Sequence, residues 1–525
     1  MGDSIPDAAA DTSRQQRLVL WIAILASFVS FLDGTVVTVA LPAIGRELGG
    51  GLAAQQWIVD AYLITLGALI LVAGSLSDVF GRIVVLRIGL IGFGVASLAI
   101  AAAPDPLFMI IARGVQGIAG ALLVPSSLAL ITSTFRGKAQ ARAIGTWTGA
   151  TTAAMLVGPV LGGAFVDLIS WRAVFLINVL PIAATLWLLV ALHQKDHREP
   201  GVAVDWIGAA LCTVGLGGTV FALIEQGRLG WASPAIWATA AGGVVSLIGF
   251  LIRQRTAPQP MLPLSLFRIR NFSAGNLSTA FVYGALALNG LVLGVYLQQG
   301  AGLSATLAGL ASLPSTVIMI VFSSYVGTWS GKIGPRLFMT VGPLVMAVGL
   351  ALLLTVQEDF NYWTQVLPAV VVYGAGLTLT VAPLTAAILG AIDPTRSGIA
   401  SAVNNAVARV AGLIAVATLG VITAGVLDLD GFRRAAVVTA ALMAIGGIIA
   451  LIGIRNPARP AEVAAQSDGA SGVRAPDGTA AGRAPDGTAP TADGARPGQT
   501  PSRTAPVVMP DGAAPTAMGG TDLGQ

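Results

Sequence analysis

Long apolar runs recur along the first 454 residues of the chain, and they limit its fold more than any other feature. A transmembrane helix needs about 20 mostly apolar residues. Runs of about that length are separated by charged or turn-rich joints, and we number them helices 1 to 14: 18–43, 56–76, 84–103, 106–134, 139–167, 173–192, 204–225, 235–252, 273–298, 304–328, 336–356, 363–390, 397–425 and 433–454. The pattern predicts an all-α membrane protein with fourteen transmembrane helices.

The composition supports this fold class and excludes several others. Charged residues make up 10% of the chain, against about 25% in an ordinary soluble domain. A single cysteine, Cys212, leaves no internal disulfide and no cysteine-based metal site, and no G-x-x-x-x-G-K-[ST] loop is present to bind nucleotide phosphates. His193 and His197 share a polar loop that we interpret as a solvated hinge. We therefore expect no enzyme, cofactor, metal ion or nucleic-acid partner.

The basic residues that flank the predicted helices indicate how the chain crosses the membrane. With the N-terminus inside, 18 lysines and arginines flank the helices on the cytoplasmic side and 5 on the outer side, which matches the bias of cytoplasmic loops. Residues 1–17 are then a cytoplasmic segment, and helix 1 has no cleavage site after it. Arginine outnumbers lysine 26 to 3, which hints at a bacterial source. We expect a bacterial inner-membrane protein with both termini in the cytoplasm.

Two joints repeat each other and divide the chain. GSLSDVFGRIVVL, which follows helix 2, is echoed by GTWSGKIGPRLF after helix 10, so that Gly74 and Gly81 match Gly327 and Gly334 at a constant offset of 253. The repeat predicts six-helix halves at 18–192 and 273–454 with two inserted helices at 204–252. Parallel halves around a central site are a transporter architecture. Residues 456–525 repeat RAPDGTA and have few apolar residues, which predicts a disordered tail.

Helices 1 and 4 each carry a charge within an apolar run. Asp33 lies in the middle of helix 1, and Arg113 shares one stripe of helix 4 with Gln116, Gly117 and Gly120. Counted from the outer end of each helix, the two charges lie about 13 Å and about 10 Å deep. We predict that Arg113 faces the bundle interior, where it can meet Asp33. Ionisable residues in such positions are functional hypotheses by default.

Two further acids lie nearer to helix ends. Asp60 in helix 2 is flanked by Trp57 and Tyr62, as in an interfacial aromatic belt, so that an interfacial role is as open as a functional one. Glu225 in helix 7 is more typical of an interfacial residue. Both remain secondary candidates for proton coupling.

Helix 13 carries a second intramembrane arginine. Arg409 follows Asn404 and Asn405 in the sequence ASAVNNAVARVAG. These three side chains either line the second half of a central cavity or make structural hydrogen bonds.

Helix 5 contains a run of small residues around a proline. Gly158 and Gly162 lie on one face, where a neighbouring helix can approach closely, and Pro159 can bend the helix. Gly163 completes the pattern. A packing seam and a functional motif are both compatible with it.

Taken together, residues 15–455 resemble the fourteen-helix drug:proton antiporter branch of the major facilitator superfamily. The joint after helix 2 resembles the superfamily pattern G-x-L-a-D-x-x-G-R, and helix 4 resembles its R-x-x-q-G-x-g motif, whose arginine is implicated in proton coupling. The resemblance implies a cytoplasmic gate in which Asp78 meets the start of helix 13, formed by Gly74, Asp78, Gly81, Arg82 and Arg396. The basic residues usual after that joint are replaced by Ile83, Val84 and Val85, which weakens the expected latch.

The resemblance of helix 5 to the antiporter motif g-x-x-x-G-P-x-x-G-G implies export by exchange. We predict a monomeric, proton-coupled secondary transporter that exports small amphipathic drugs or antibiotics in exchange for protons, with Asp33 and Arg113 as the coupling pair. Its expected partners are a small-molecule substrate, protons and the lipid bilayer. An exporter of a metabolite or amino acid is the alternative within the same class. A non-transporting receptor on the same fold is a second alternative, but a receptor has no need of the titratable pair.

Overall fold

The computed structural model describes residues 5–192, 196, 198, 203–393 and 396–456. Within these residues fourteen helices are long and apolar enough to cross a membrane: Arg14–Leu48, Gly51–Phe80, Arg82–Ala101, Pro106–Thr134, Arg142–Leu168, Ala173–Ala191, Trp206–Leu229, Pro234–Thr256, Arg270–Gln299, Ala305–Ile333, Pro335–Thr355, Tyr362–Leu389, Gly398–Thr423 and Leu429–Gly453. These are helices 1 to 14, and helices 1 and 5 begin before their apolar parts, at Ile5 and Gly137. The predicted all-α membrane fold is confirmed. The loop histidines, residues 1–4 and the tail from residue 457 lie outside the described residues.

Aspartate side chains cap the N-terminal ends of several of these helices. Asp105, Asp205 and Asp428 each accept a hydrogen bond from a backbone N–H in the first turn of helix 4, helix 7 and helix 14 respectively, at 2.9, 3.0 and 2.7 Å. Such caps satisfy donors that have no partner within the helix. Proline follows directly in helix 4, where its missing N–H costs nothing. The joints can therefore be short.

Three helices contain breaks that the apolar pattern does not predict. Helix 6 is interrupted between Leu176 and Val179, helix 10 at Ser312 and helix 13 at Thr418. In helix 10 the proline two residues after the break has no N–H to continue the ladder. The break in helix 6 includes Asn178, a fully buried polar residue.

The helices pack in a consistent pattern around the centre of the bundle. Helix 2 packs on helices 4 and 13, helix 1 on helix 5, helix 5 on the first segment of helix 10, and helix 9 on helices 13 and 14. Helix 7 packs on helix 2, and helix 8 packs mainly on helix 7. Helices 7 and 8 thus form a peripheral pair. The division into two six-helix halves with an insert stays a prediction.

The two repeated joints have the same local geometry. Gly81 and Gly334 have φ of +99° and +101°, a conformation that favours glycine. The Asp196 carboxylate accepts hydrogen bonds from two backbone N–H groups in the first turn of helix 3, at 3.1 and 3.0 Å. Asn456 Oδ1 accepts one from the first turn of helix 11, at 3.1 Å. A Cβ on either glycine would collide with the capping side chain. In both joints the glycine therefore leaves room for the side chain that caps the next helix.

Candidate functional site

A buried ion pair joins helix 1 to helix 4. Arg113 Nη1 lies 2.6 Å from Asp33 Oδ2, and the two side chains are 2% and 0% exposed. The predicted meeting of the two charges inside the bundle is confirmed. Taking both ions out of water costs more than their attraction returns unless their other polar atoms are also satisfied.

Amide side chains satisfy the second carboxylate oxygen of Asp33. Gln116 Nε2 and Asn178 Nδ2 each donate to Asp33 Oδ1 at 3.1 Å. Gln116 also accepts from Arg113 Nη1 at 2.5 Å and donates to Ser97 Oγ at 2.9 Å. The carboxylate is therefore held by helices 4 and 6, and Ser97 of helix 3 in turn holds Gln116. We call these five side chains the charge cluster.

Helix 2 forms the remaining wall of the charge cluster. Arg113 Nε donates to the Ile58 carbonyl at 3.0 Å, and its guanidinium carbon lies 4.3 Å from the centre of the Tyr62 ring, a cation–π geometry. Helix 4 can approach this closely because Gly117 has no side chain, since a Cβ there would collide with Tyr62 and Thr65. Tyr62 is thus buried in the bundle.

Asp60 is buried without a partner. Its side chain is fully buried, and neither carboxylate oxygen has a hydrogen-bond partner among the described residues. It lies on helix 2 between Gln56, which donates to the Val416 carbonyl of helix 13 at 2.8 Å, and Gly67, which faces Val410. An unpaired carboxylate is costly to bury, and Asp60 differs in this from Asp33, whose two oxygens are both hydrogen-bonded. Of the two roles left open for Asp60, its burial inside the bundle favours the functional one.

Glu225 fixes the peripheral pair to the bundle. It accepts hydrogen bonds from Trp57 Nε1 at 3.0 Å and from Arg228 Nε at 2.8 Å. The Trp57 bond spans helices 2 and 7, near the end of helix 7. With both oxygens occupied this way, Glu225 connects two helices and lies apart from the charge cluster.

A central cavity of about 570 Å³ lies beside the charge cluster. This is within the range of about 300–1,000 Å³ typical of sites for drug-sized ligands. Its lining comes from helices 1, 2, 5 and 9 to 13 and is mostly apolar, with polar side chains that include Tyr283, Asn289, Tyr373, Asn405 and Arg409. Helix 1 contributes Gly34 and Thr35 to the cavity and Asp33 to the charge cluster. One helix therefore connects the two.

The three candidates on helix 13 separate into two roles. Arg409 and Asn405 line the cavity. Asn404 instead donates to Asn276 Oδ1 at 3.2 Å and to Thr279 Oγ1 at 2.9 Å, both on helix 9. Asn405 and Arg409 thus match the alternative of cavity lining, and Asn404 matches the alternative of structural hydrogen bonds.

The helix 5 motif forms two seams of close packing. A Cβ on Gly158 or Gly162 would collide with helix 1, and one on Gly163 would lie 2.5 Å from the Ala305 carbonyl of helix 10. Facing it, Gly309 has no room for a side chain next to the carbonyl of Pro159. The close approach predicted for this motif is therefore present, and it involves two neighbouring helices.

The same end of the bundle holds further contacts between the N-terminal and C-terminal helices. Asp167 at the end of helix 5 accepts hydrogen bonds from the backbone N–H groups of Ala305 and Thr306, at 3.1 and 2.7 Å. At the opposite end a Cβ on Gly149 or Gly327 would meet nothing within 4 Å among the described residues, and helix 5 contacts helix 10 mainly through the first segment of helix 10. The bundle is closed where helix 5 ends and open where it begins.

The predicted gate residues lie at the open end. Asp78 forms an ion pair with Arg82 at 3.5 Å, and Gly74 has nothing within 4 Å of an added Cβ. Arg396 is exposed at the start of helix 13. Residues 394 and 395 lie outside the described residues, so the predicted latch between Asp78 and this helix start stays a prediction.

Several members of the site are absent from the sequence prediction. Ser97 and Asn178 complete the charge cluster, and Tyr283, Asn289 and Tyr373 line the cavity. Asn178 does have a visible signal, since it is an amide in the middle of the apolar run VFLINVLPIA, and buried polar groups require partners.

A fourteen-helix bundle with a central cavity and a buried charge cluster is the architecture of a multi-pass membrane transporter. The sequence model described as Major Facilitator Superfamily matches residues 23–416 and 275–503. The chain belongs to this superfamily, and it is a transporter rather than an enzyme.

Relatives and solved structures agree with this membership. The chain is 32% identical to a methylenomycin A resistance protein of Bacillus subtilis (strain 168), over 80% of this chain and 89% of that one. It is 32% identical to a tetracenomycin C resistance and export protein of Streptomyces glaucescens, over 77% and 76%. A crystal structure of a peptide transporter, POT, in complex with sulfate has a TM-score of 0.61 at 14% identity, over 83% and 94%. The last likeness shows the fold alone.

Proposed function

We propose that the protein exports small amphipathic drugs or antibiotics from the cell in exchange for protons. The observation that carries the proposal is the buried charge cluster, which helix 1 connects to a mostly apolar cavity of drug size. The names of the relatives, which include resistance and export proteins, support drugs as the substrate class. A titratable carboxylate paired with a permanently charged arginine supports protons as the coupled ion.

Helix 1 provides a route for coupling. Its residues Gly34 and Thr35 line the cavity and Asp33 belongs to the charge cluster. A substrate that displaces helix 1 would lengthen the ion pair, and a carboxylate that loses its arginine takes up a proton more readily. Arg113 keeps its charge throughout, so its distance from Asp33 controls when the proton is held. Asp60 supplies a second buried acid on helix 2.

The predicted topology assigns the closed end of the bundle to the outside and the open end to the cytoplasm. The conformation is then inward-facing, with the cavity accessible to drugs in the cell. Outward opening requires the seam between helix 5 and helix 10 to separate while the cytoplasmic ends close. In this scheme Asp78 and the start of helix 13 latch the cytoplasmic side, and the two six-helix halves move against each other.

Drug susceptibility and efflux test this function. The protein is expressed in a drug-hypersensitive bacterial host and challenged with a panel that contains methylenomycin A, tetracenomycin C and puromycin. We expect resistance to at least one compound, with lower cellular accumulation, and loss of both effects in Asp33→Asn. Glu225→Gln, outside the charge cluster, is the matched control and should retain them. Unchanged susceptibility to the whole panel, with the protein present in the membrane, would contradict export of drugs.

A further inference from the structure

The cavity has a positive charge and no acid among its described lining residues. Arg409 is the one charged side chain in that lining. Asp33, the nearest acid on helix 1, belongs to the charge cluster, where both of its oxygens are occupied. The fixed charge that a bound molecule meets is therefore the guanidinium.

Arg409 has no counter-charge within the described part of the chain. It makes no hydrogen bond or ion pair there, and its guanidinium carbon lies 5.8 Å from the centre of the Phe31 ring. Gly34 keeps the space before it open, because a Cβ at Gly34 would lie 4.0 Å from Arg409 Nη1. Intramembrane arginines are normally paired, as Arg113 is here. An unpaired one that borders a cavity leaves the counter-charge to water or to a ligand.

The surroundings of Arg409 suit one class of ligand. A guanidinium offers a planar fork of donors that matches a carboxylate in two-point geometry. Asn289 and Asn405 border the same cavity and can donate further hydrogen bonds. The remaining lining is mostly apolar and includes Phe31 and Tyr283, which suits an aromatic or aliphatic body.

We propose that Arg409 is the counter-charge for the substrate, and that the cavity selects amphipathic carboxylates over neutral and cationic analogues. The inference rests on the proposed export function and names its substrate class. It also gives the exchange an electrical sign. Export of a monoanion with uptake of one proton moves two positive charges inward, so an inside-negative membrane potential accelerates it.

Equilibrium binding tests the inference without transport. The full-length protein in lipid nanodiscs is titrated with three fluorescent probes of one shape: pyrenebutyrate, its amide, and a pyrenebutyl trimethylammonium salt. We expect wild type to bind the acid about tenfold or more tightly than the amide, since a hydrogen-bonded charge pair contributes about 1.5–3 kcal/mol. Arg409→Gln should bind acid and amide equally, Arg409→Lys should keep part of the preference, and the exposed Arg255→Gln should behave as wild type.

Each outcome decides the inference. Retained binding of the amide shows that Arg409→Gln is folded and that its loss is specific to the carboxylate. No measurable binding of the acid by wild type, a preference for the cation, or an unchanged acid-to-amide ratio in Arg409→Gln would overturn the inference. The binding measurement uses no gradient, so its result is independent of transport. If the protein exports drugs but binds the cation more tightly than the acid, the inference about Arg409 is refuted and the proposed export function still stands.

Discussion

Asp33 and Arg113 each stabilise the charge of the other in the bundle interior. The carboxylate accepts hydrogen bonds from three side chains, and the arginine stacks on Tyr62 and donates to a backbone carbonyl. Removing one partner leaves the other buried without its counter-charge. Removing both leaves neutral groups of similar shape. Stability and transport should therefore respond differently to single and double substitution.

We predict that Arg113→Ala lowers stability by about 3–5 kcal/mol, the cost of breaking a buried ion pair. The double variant Asp33→Asn/Arg113→Gln should recover most of that stability and still fail to transport. Thermal unfolding in detergent and an efflux assay on the same preparations measure the two quantities. A double variant as unstable as Arg113→Ala would show that the unpaired charge is not the cause.

At the scale of single elements, the glycines of helix 5 control how the bundle closes. Gly163 and Gly309 let helices 5 and 10 touch at the closed end, where Asp167 caps helix 10. Gly149, on the same helix toward the open end, has no neighbour within 4 Å. The same change at the two positions therefore has different consequences.

We predict that Gly163→Ala opens this seam. Overpacking costs about 1–3 kcal/mol, which shifts a two-state population about five- to more than a hundredfold. Spin labels on Leu168→Cys and Leu307→Cys, both exposed near the seam, in a Cys212→Ala background, should report longer distances. Gly149→Ala is the control. Equal distance distributions in the two variants would mean that the seam tolerates a methyl group.

The peripheral pair of helices has its own electrostatic anchor at Asp205. Burial raises the pKa of Asp205, but hydrogen bonds from the Gly208 N–H, Arg253 and Gln254 outweigh it and hold that pKa below its ordinary value. A depressed folded pKa contributes stability that is present above the unfolded pKa of about 3.9 and is lost as the pH falls through the folded pKa. Asp205→Asn should therefore be less stable than wild type at neutral pH, and the difference should shrink below about pH 4. Thermal unfolding against pH measures it, and a difference that is independent of pH would contradict the ionic anchor.

The sequence predicts the helices well and the contacts between them less well. Long apolar runs define each helix locally, and the small residues after Arg113 indicate the face that packs. Asn178 and Ser97 are missed because their partners are distant in sequence, so that no local period marks them. The sequence leaves the role of Asp60 open because distance from a helix end does not say whether other helices bury the residue, as they do here.

For the whole molecule, the predicted topology determines which side of the membrane the open end of the bundle faces. Cysteines at Ala203 and Ala232, on the two sides of helix 7 and both exposed, should react with an impermeant thiol reagent from opposite sides of the membrane. The background is Cys212→Ala, and intact cells are compared with inverted vesicles. Ala203→Cys should label only in inverted vesicles. Labelling of both positions from the same side would rule out the fourteen-helix topology.

The central claim is that the Asp33–Arg113 pair couples protons to export. The direct measurement uses proteoliposomes loaded with a pH-sensitive dye at acidic internal pH, to which a substrate from the susceptibility panel is added outside. We predict that substrate alkalinises the lumen with wild type and Glu225→Gln, and that Asp33→Asn and Arg113→Ala produce no such change. Substrate-driven proton exchange in both variants, with the pH dependence of wild type, would contradict it.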